Sequence, residues 1–340
     1  MLYVHWRPDG DDNLQRTARP LPAAPSGPLP RRHSFSSLLS GGHSQLTEED
    51  RPADDENLIE PEASVDETGS QAPAILIPQT PHPELDALAI VAGADFGNAV
   101  HALFELRTPG DSFLDQHEAI AAALQAHGVR PRDGSDIKSL IAPLATRLQG
   151  VLEARLGGDH GPRLGDLAAT EMRAEMEFNY CLDGASLREL RQACEACGEF
   201  ELVPRRDQTL AGLMNGKIDL IFAHDGCFHV LDYKGNDLAL GVPPRLEHYA
   251  AGALDVAMQR NGYRFQALLY VVALERYLRE RLGTSYRRAQ HLGDAWYLFI
   301  RATGLSLPDG TPCGVWRHRF DDALLDAAQA VLGADIKEVA

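Results

Sequence analysis

The chain has 340 residues and a mass of 37.1 kDa, and hydrophobic residues make up 44% of it, which excludes a wholly disordered protein. Its formal charge of −17 supplies no global positive field for nucleic acid, so any DNA contact must come from local basic groups, a metal ion or a partner. The longest apolar run, Ala267–Leu274, is far short of a membrane span, the first residues show no secretory signal, and the odd, irregularly spaced cysteines form no disulfide framework, so a cytoplasmic protein with no membrane partner is expected.

Residues 1–33 are rich in proline and show no sustained period. Residues 45–70 hold ten acids against one base, Arg51, and read as a solvated linker. Residues 1–82 are therefore expected to be a flexible tether, and 83–340 an ordered domain. Ala94–Arg107 reads as a helix with Asp95 as its N-cap and Val100, Leu103, Phe104 and Leu106 as apolar positions. Residues 111–128 and 135–155 read as two more amphipathic helices. From Glu171 to Tyr180 apolar and polar residues alternate, with Met172, Ala174, Met176, Phe178 and Tyr180 on one face of a strand. Gly216–Phe222 and Phe228–Tyr233 are short apolar strands, and the Asp225-Gly226 pair between them signals a hairpin. Residues 260–282 read as one long helix and 295–302 as a further strand. Helices alternating with clustered strands predict an α/β fold with a central mixed β-sheet flanked by α-helices.

The informative stretch runs from Gly216 to Lys234. Asp219 interrupts one apolar strand and Asp232 the next, and an unpaired carboxylate near a sheet core is expensive. On adjacent hairpin strands the two carboxylates can converge, and a hard divalent cation would relieve their repulsion and desolvation together. Lys234 follows Asp232 by two residues and so shares its face. A cation, two carboxylates and a lysine are what phosphodiester hydrolysis needs: a Lewis acid for the phosphate and a positive charge beside the attacking oxygen. The bland alternative is a buried Asp–Lys ion pair. His101, between Val100 and the apolar pair Leu103 and Phe104, reads by itself as a core histidine more readily than a ligand. Gln266 and Tyr270, four apart on one helix face, read by themselves as hydrogen-bonded boundary residues. Arg205-Arg206, Arg260 with Arg264, and Arg287-Arg288 are local basic groups that could meet a DNA backbone or serve as ordinary surface charges. Tyr263 and Phe265 are candidates for stacking on bases, with core packing as the rival role.

The ordered set GNAVHALFE (97–105), GKIDLIF (216–222), LDYKGN (231–236) and QALLY (266–270) resembles the nuclease domain of the RecB family, within the PD-(D/E)XK superfamily. The similarity extends to WYLFIRA (296–302) and, at the other end, to Ser34-Phe35-Ser36-Ser37-Leu38. The resemblance implies a restriction-endonuclease-like core and a metal-dependent deoxyribonuclease of the exodeoxyribonuclease V type. It implies His101, Asp219 and Asp232 as ligands of Mg²⁺, for which Mn²⁺ can substitute, helped by the backbone carbonyl of Tyr233. Lys234 would orient the attacking water and stabilise developing charge, Gln266 and Tyr270 would support the site, and Glu175 would complete it, with Glu177 on the same face. Asn236 would contact a phosphate. The implied partners are DNA, the helicase portion of a RecB protein, and RecC- and RecD-like subunits, in double-strand break repair and recombination. A stand-alone RecB-like nuclease and a non-catalytic docking or DNA-binding module are the rival readings. The chain departs from the helicase–nucleases in having no GxxxxGK[ST] loop, and Cys194-x-x-Cys197 has no second pair with which to hold an iron–sulfur cluster.

Overall fold

A computed structural model describes residues 32–35, 38, 80–158 and 161–333. The tether expected over 1–82 thus falls mostly outside the described residues. Of the early segment, β1 (Arg32–His33) pairs in parallel with Leu213 and Met214, and Phe35 and Leu38 are buried in the core.

The centre is a mixed sheet of six strands. Strand β2 (Met172–Ser186) lies antiparallel along β3 (Thr209–His224), and β3 turns back into β4 (Cys227–Lys234). The turn between them is Asp225-Gly226, with φ of 49° and 80°, the pair of left-handed residues that a two-residue hairpin requires. Strand β5 (Leu292–Phe299) runs parallel to β4, and β6 (Val315–His318) closes the edge antiparallel to β5. A parallel pair needs a crossover, and α5 (Ala251–Arg260) with α6 (Tyr263–Leu282) supplies it between β4 and β5. Strand β5 is buried along its whole length, as expected of a central strand covered on both faces.

Helices cover both faces, giving three layers. One face packs Ile221, Val230, Tyr297 and Phe299 against α6 and against α4 (Leu187–Ala196) and α7 (Asp322–Val331). The other packs Leu220, Phe222, Leu231, Tyr233, Trp296 and Leu298 against α1 (Ala94–Leu106), α2 (His117–Ala126) and α3 (Ile141–Glu153). From Phe265 to Leu274 every residue of α6 is buried, so it is a core helix rather than an amphipathic one, and each large side chain there contributes about 1.5–3 kcal/mol by burial.

Four expectations change in detail. The helix read over 260–282 is two helices, because Gly262 takes φ 69° and ends the first at Arg260. The N-cap of α1 is Gly93, with φ 92°, while Asp95 lies in the first turn, where its charge favours the helix N-terminus. Ala174 is exposed while Met176 and Phe178 are buried, because Glu175 between them takes φ 53° and breaks the alternation. The strand read over 295–302 starts earlier and ends at Phe299, where the chain enters a tight turn.

His229 on β4 is locked beneath the sheet. Its ring stacks on Phe222 at 4.8 Å, and its Nδ1 accepts from Asp294 N–H at 2.9 Å and Trp296 Nε1–H at 3.3 Å. A Cβ on residue 293 would lie 2.4 Å from that nitrogen, so Gly293 is required. Burial pushes the imidazole down to about 4 from its ordinary 6.5, and protonation would destroy an acceptor already in use. The unfolded chain therefore binds the extra proton first, and this group favours the fold above about 6.5 and loses that contribution as pH falls toward 4. The stability difference between wild type and His229→Gln, measured by urea denaturation, should narrow by about 2–3 kcal/mol from pH 7 to pH 4. The comparison with the variant cancels carboxylates that titrate in the same interval, and a difference independent of pH would show that His229 does not titrate with folding.

Candidate active site

The β3–β4 ladder ends at the Leu220–Leu231 pair, and one further step sets Asp219 opposite Asp232. There the ladder gives way to a side chain: the Tyr233 N–H donates to Asp219 Oδ2 at 2.8 Å. Across β3's other edge the register sets Glu175 of β2 beside Asp219, between the pairs Ala174–Leu220 and Met176–Ile218. Glu175 holds φ 53°, a left-handed conformation that a non-glycine residue keeps at a cost of about 1–3 kcal/mol. Side-chain alternation slips at the same place. Ile218 and Ile221, three apart, pack in one core, while Leu220 packs in the other. The two acids thus sit at a dislocation in the sheet, where their side chains are freed from the regular in-and-out pattern.

Helix α1 brings His101 to this point, with Nδ1 3.2 Å from Asp219 Oδ2. The Tyr233 ring meets His101 edge-on at 6.3 Å and stacks flat on Phe104 at 3.9 Å, so α1 is packed against β4 by aromatic contact. His101, Glu175 and Asp219 offer donor atoms within 4.8 Å of one another, the spacing of a metal-binding group. Glu175 also pairs with Lys217, and Glu177 is exposed, so of these two glutamates only Glu175 reaches the cluster.

Asp232 and Lys234 share a face of β4 and form a buried pair, Nζ to Oδ2 at 2.7 Å, with exposures of 2% and 5%. The Lys234 ammonium lies 4.3 Å above the Tyr263 ring and 5.6 Å from the Tyr297 ring. Behind it runs a hydrogen-bond chain: Tyr297 OH donates to Gln266 Oε1 at 3.0 Å, and Gln266 Nε2 donates to Tyr270 OH at 3.1 Å. Gln266 and Tyr270 therefore stand behind the lysine cage, each 2% exposed. Asn236 is engaged within the protein, its Oδ1 accepting from Tyr263 OH at 3.2 Å. Tyr297 and Lys217 carry no signal of their own in the sequence. The first sits in a strand that reads as plain core, and the second in a strand whose charge is silent without its partner on β2.

The electrostatics separate the two aspartates. Burial works to raise Asp219, but His101, Lys234 and the Tyr233 N–H outweigh it and hold the carboxyl below its ordinary value. Burial, then repulsion from Asp219, pushes Asp232 up to about 7 despite Lys234. Glu175 is also raised, by burial first, because it is far less exposed than the Lys217 that pairs with it. Two carboxylates this close cannot both ionise cheaply without added positive charge.

A divalent cation fits this donor set: hard carboxylate oxygens with one imidazole, clustered and short of positive charge. His101, Glu175 and Asp219 would hold it, with Asp232 adjoining once released from Lys234. The remaining sequence candidates fall elsewhere. Arg264 pairs with Glu199 at 2.5 Å and Arg288 with Glu275 at 2.7 Å, so both are committed to acids. Phe265 is core, packed on Phe35 at 6.1 Å. Cys194 is buried, which pushes its thiol up to about 12, and among the described residues no cysteine belongs to a metal-binding group.

His101→Ala should weaken Mn²⁺ binding by about tenfold or more in calorimetry. Because His101 is partly exposed, the metal-free melting temperature should change little. A melting temperature that collapses equally with and without the ion would make His101 a core residue instead. Because Asp232 must lose its proton to serve as a ligand, cation affinity should rise as pH increases through about 7. Affinity flat between pH 6 and 8 would remove Asp232 from the binding step.

Comparison with known proteins places these features in a family. A family model described as the PD-(D/E)XK nuclease superfamily matches residues 78–334. The chain is similar to the RecBCD enzyme subunit RecB of Mycolicibacterium smegmatis, 28% identical over 338 residues, covering 90% of this chain and 29% of that protein. It is 28% identical over 313 residues to RecB of Escherichia coli, covering 89% of this chain and 23% of the relative. It is 29% identical over 328 residues to RecB of Mycobacterium tuberculosis, covering 89% and 28%. The chain spans less than a third of the length of these relatives. With the sheet, the paired aspartates and the adjacent lysine in place, the match over residues 78–334 shows that the chain belongs to the PD-(D/E)XK nuclease superfamily.

Proposed function

We propose that the chain hydrolyses DNA phosphodiester bonds with Mg²⁺, as the nuclease part of a RecBCD-type helicase–nuclease in double-strand break repair and recombination. The observation that carries this reading is the buried Lys234–Asp232 pair set across from Asp219, which belongs to a cluster with His101 and Glu175. The cation, when bound, polarises the scissile phosphate and lowers the pKa of water. Lys234 supplies a positive charge beside the attacking oxygen, held by the Tyr263 and Tyr297 faces so that it need not reorganise as charge develops. Asp219, kept ionised, anchors His101 and the Tyr233 backbone. Asp232, near neutrality in pKa, can exchange its proton as the site fills. Gln266 and Tyr270 hold Tyr297 and through it the lysine.

The partners in this reading are DNA, the helicase portion of RecB, and RecC- and RecD-like subunits; the names of the relatives support them. The cytoplasm is the proposed location. Cys194, Cys197, Cys227 and Cys313 are free, and no helix among the described residues is long and apolar enough to cross a membrane. With a charge of −17, DNA affinity should be weak and fall steeply with salt.

The test is cleavage of linear single-stranded DNA by the purified chain with Mg²⁺ and with EDTA, beside Asp232→Ala and Lys234→Ala. Each variant should lose at least about a hundredfold in rate while keeping its circular dichroism spectrum. Undiminished Mg²⁺-dependent nicking by Lys234→Ala would sink the assignment. DNA binding without cleavage by the wild type, in Mg²⁺ and in Mn²⁺, would favour a docking module.

A further inference from the structure

Arg301 is 2% exposed, and its three guanidinium nitrogens all donate to backbone carbonyls. Nε reaches Gly235 O at 2.8 Å, Nη1 reaches Leu88 O at 2.6 Å, and Nη2 reaches Val91 O at 2.6 Å. Its plane lies over the Phe96 ring at 5.0 Å. These partners belong to two separate pieces of chain. Gly235 follows Lys234 directly, and the preceding carbonyl, that of Lys234 itself, accepts from Ile300 N–H at 3.0 Å. Leu88 and Val91 form the turn that leads into α1, Phe96 lies in the first turn of that helix, and His101 follows about 10 Å along it. The guanidinium therefore ties the start of the helix that carries His101 to the end of the strand that carries Lys234.

Beside this tie the two elements run close together. A Cβ on residue 235 would lie 3.4 Å from the Gly97 Cα and 3.4 Å from the Phe96 ring. At that distance a methyl would make ordinary van der Waals contact, so the gap is narrow, and the arginine fork holds the approach. A lysine could not do the same, because one ammonium on a flexible stem cannot span carbonyls on two segments in a fixed plane.

We propose that Arg301 is a positioning residue for the metal site: through the Gly97–Gly235 approach it sets the distance from His101 on α1 to the acids on β3 and β4. The proposal rests on the nuclease reading above. The 3.2 Å contact of His101 with Asp219 depends on the placement of a whole helix, and Arg301 fixes the end of that helix nearest the lysine strand.

The experiment is a double-mutant cycle on the full chain, read by Mn²⁺ calorimetry at a temperature where every variant is folded by circular dichroism. Arg301→Met should raise the Mn²⁺ dissociation constant about tenfold. In the His101→Ala background the same change should add nothing, because the ligand it positions is gone. Arg301→Met removes the guanidinium donors from three carbonyls, of which Leu88 O keeps the Val91 N–H, so it has a partner variant: Gly235→Val leaves the arginine intact and wedges the helix off the strand, with the same expected loss of affinity. Unchanged affinity in either folded variant would overturn the proposal. Losses that multiply in the double variant, or a His101→Ala protein that binds as tightly as wild type, would do the same. A wild-type chain that takes up no Mn²⁺ would instead remove the metal reading, and this proposal with it.

Discussion

Everything at the site follows from burying two aspartates side by side where a hairpin ladder ends. Asp219 and Asp232 lie at adjacent positions of β3 and β4, and both are withdrawn from water. Neither burial nor mutual repulsion favours their charge, so the surrounding structure supplies positive or donor groups: the Tyr233 N–H, His101 and Lys234. The division is unequal. Asp219 takes the backbone donor and the imidazole and stays ionised, while Asp232 has mainly the lysine and is pushed toward neutrality. A candidate site so arranged is short of positive charge, which favours a divalent ion.

The sheet is bent to this purpose. Glu175 keeps a left-handed backbone near the start of a long strand, and side-chain alternation on β3 slips by one beside it. Regular strands would send Glu175 and Asp219 to places set by pairing alone. The dislocation instead lets both reach the same cluster as His101. Around it the structure is conventional: a buried central strand, a crossover helix and two apolar cores hold the irregular stretch in place and absorb its strain.

The acidity of the chain fits a nuclease only if DNA is brought to it by something other than its overall charge. Of the candidate basic groups, Arg264 is committed to Glu199 and Arg288 to Glu275, while Arg206 and Arg260 are exposed. A bound cation at the candidate site would add to the attraction that these few arginines supply. The relatives are more than three times the length of the chain.

Much of this was written in local sequence. Asp225-Gly226 specifies its turn because two successive left-handed residues are needed there, and Asp232 with Lys234 share a face because strands repeat every two residues. The motif order brought His101, Gln266 and Tyr270 into view, although each alone reads as core or boundary. Other features were decided only in three dimensions. Glu175 and Glu177 are equivalent by alternation, and only the reversed φ at Glu175 separates them. Tyr297 and Arg301 lie in an apolar stretch that reads as core, and core they are. Their hydroxyl and guanidinium matter because α6 and α1, distant in sequence, come to rest against them. Local spacing determines which residues share a strand face. Which distant carbonyl or carboxylate a buried polar group must satisfy is set by packing, because that partner exists only once the layers have closed.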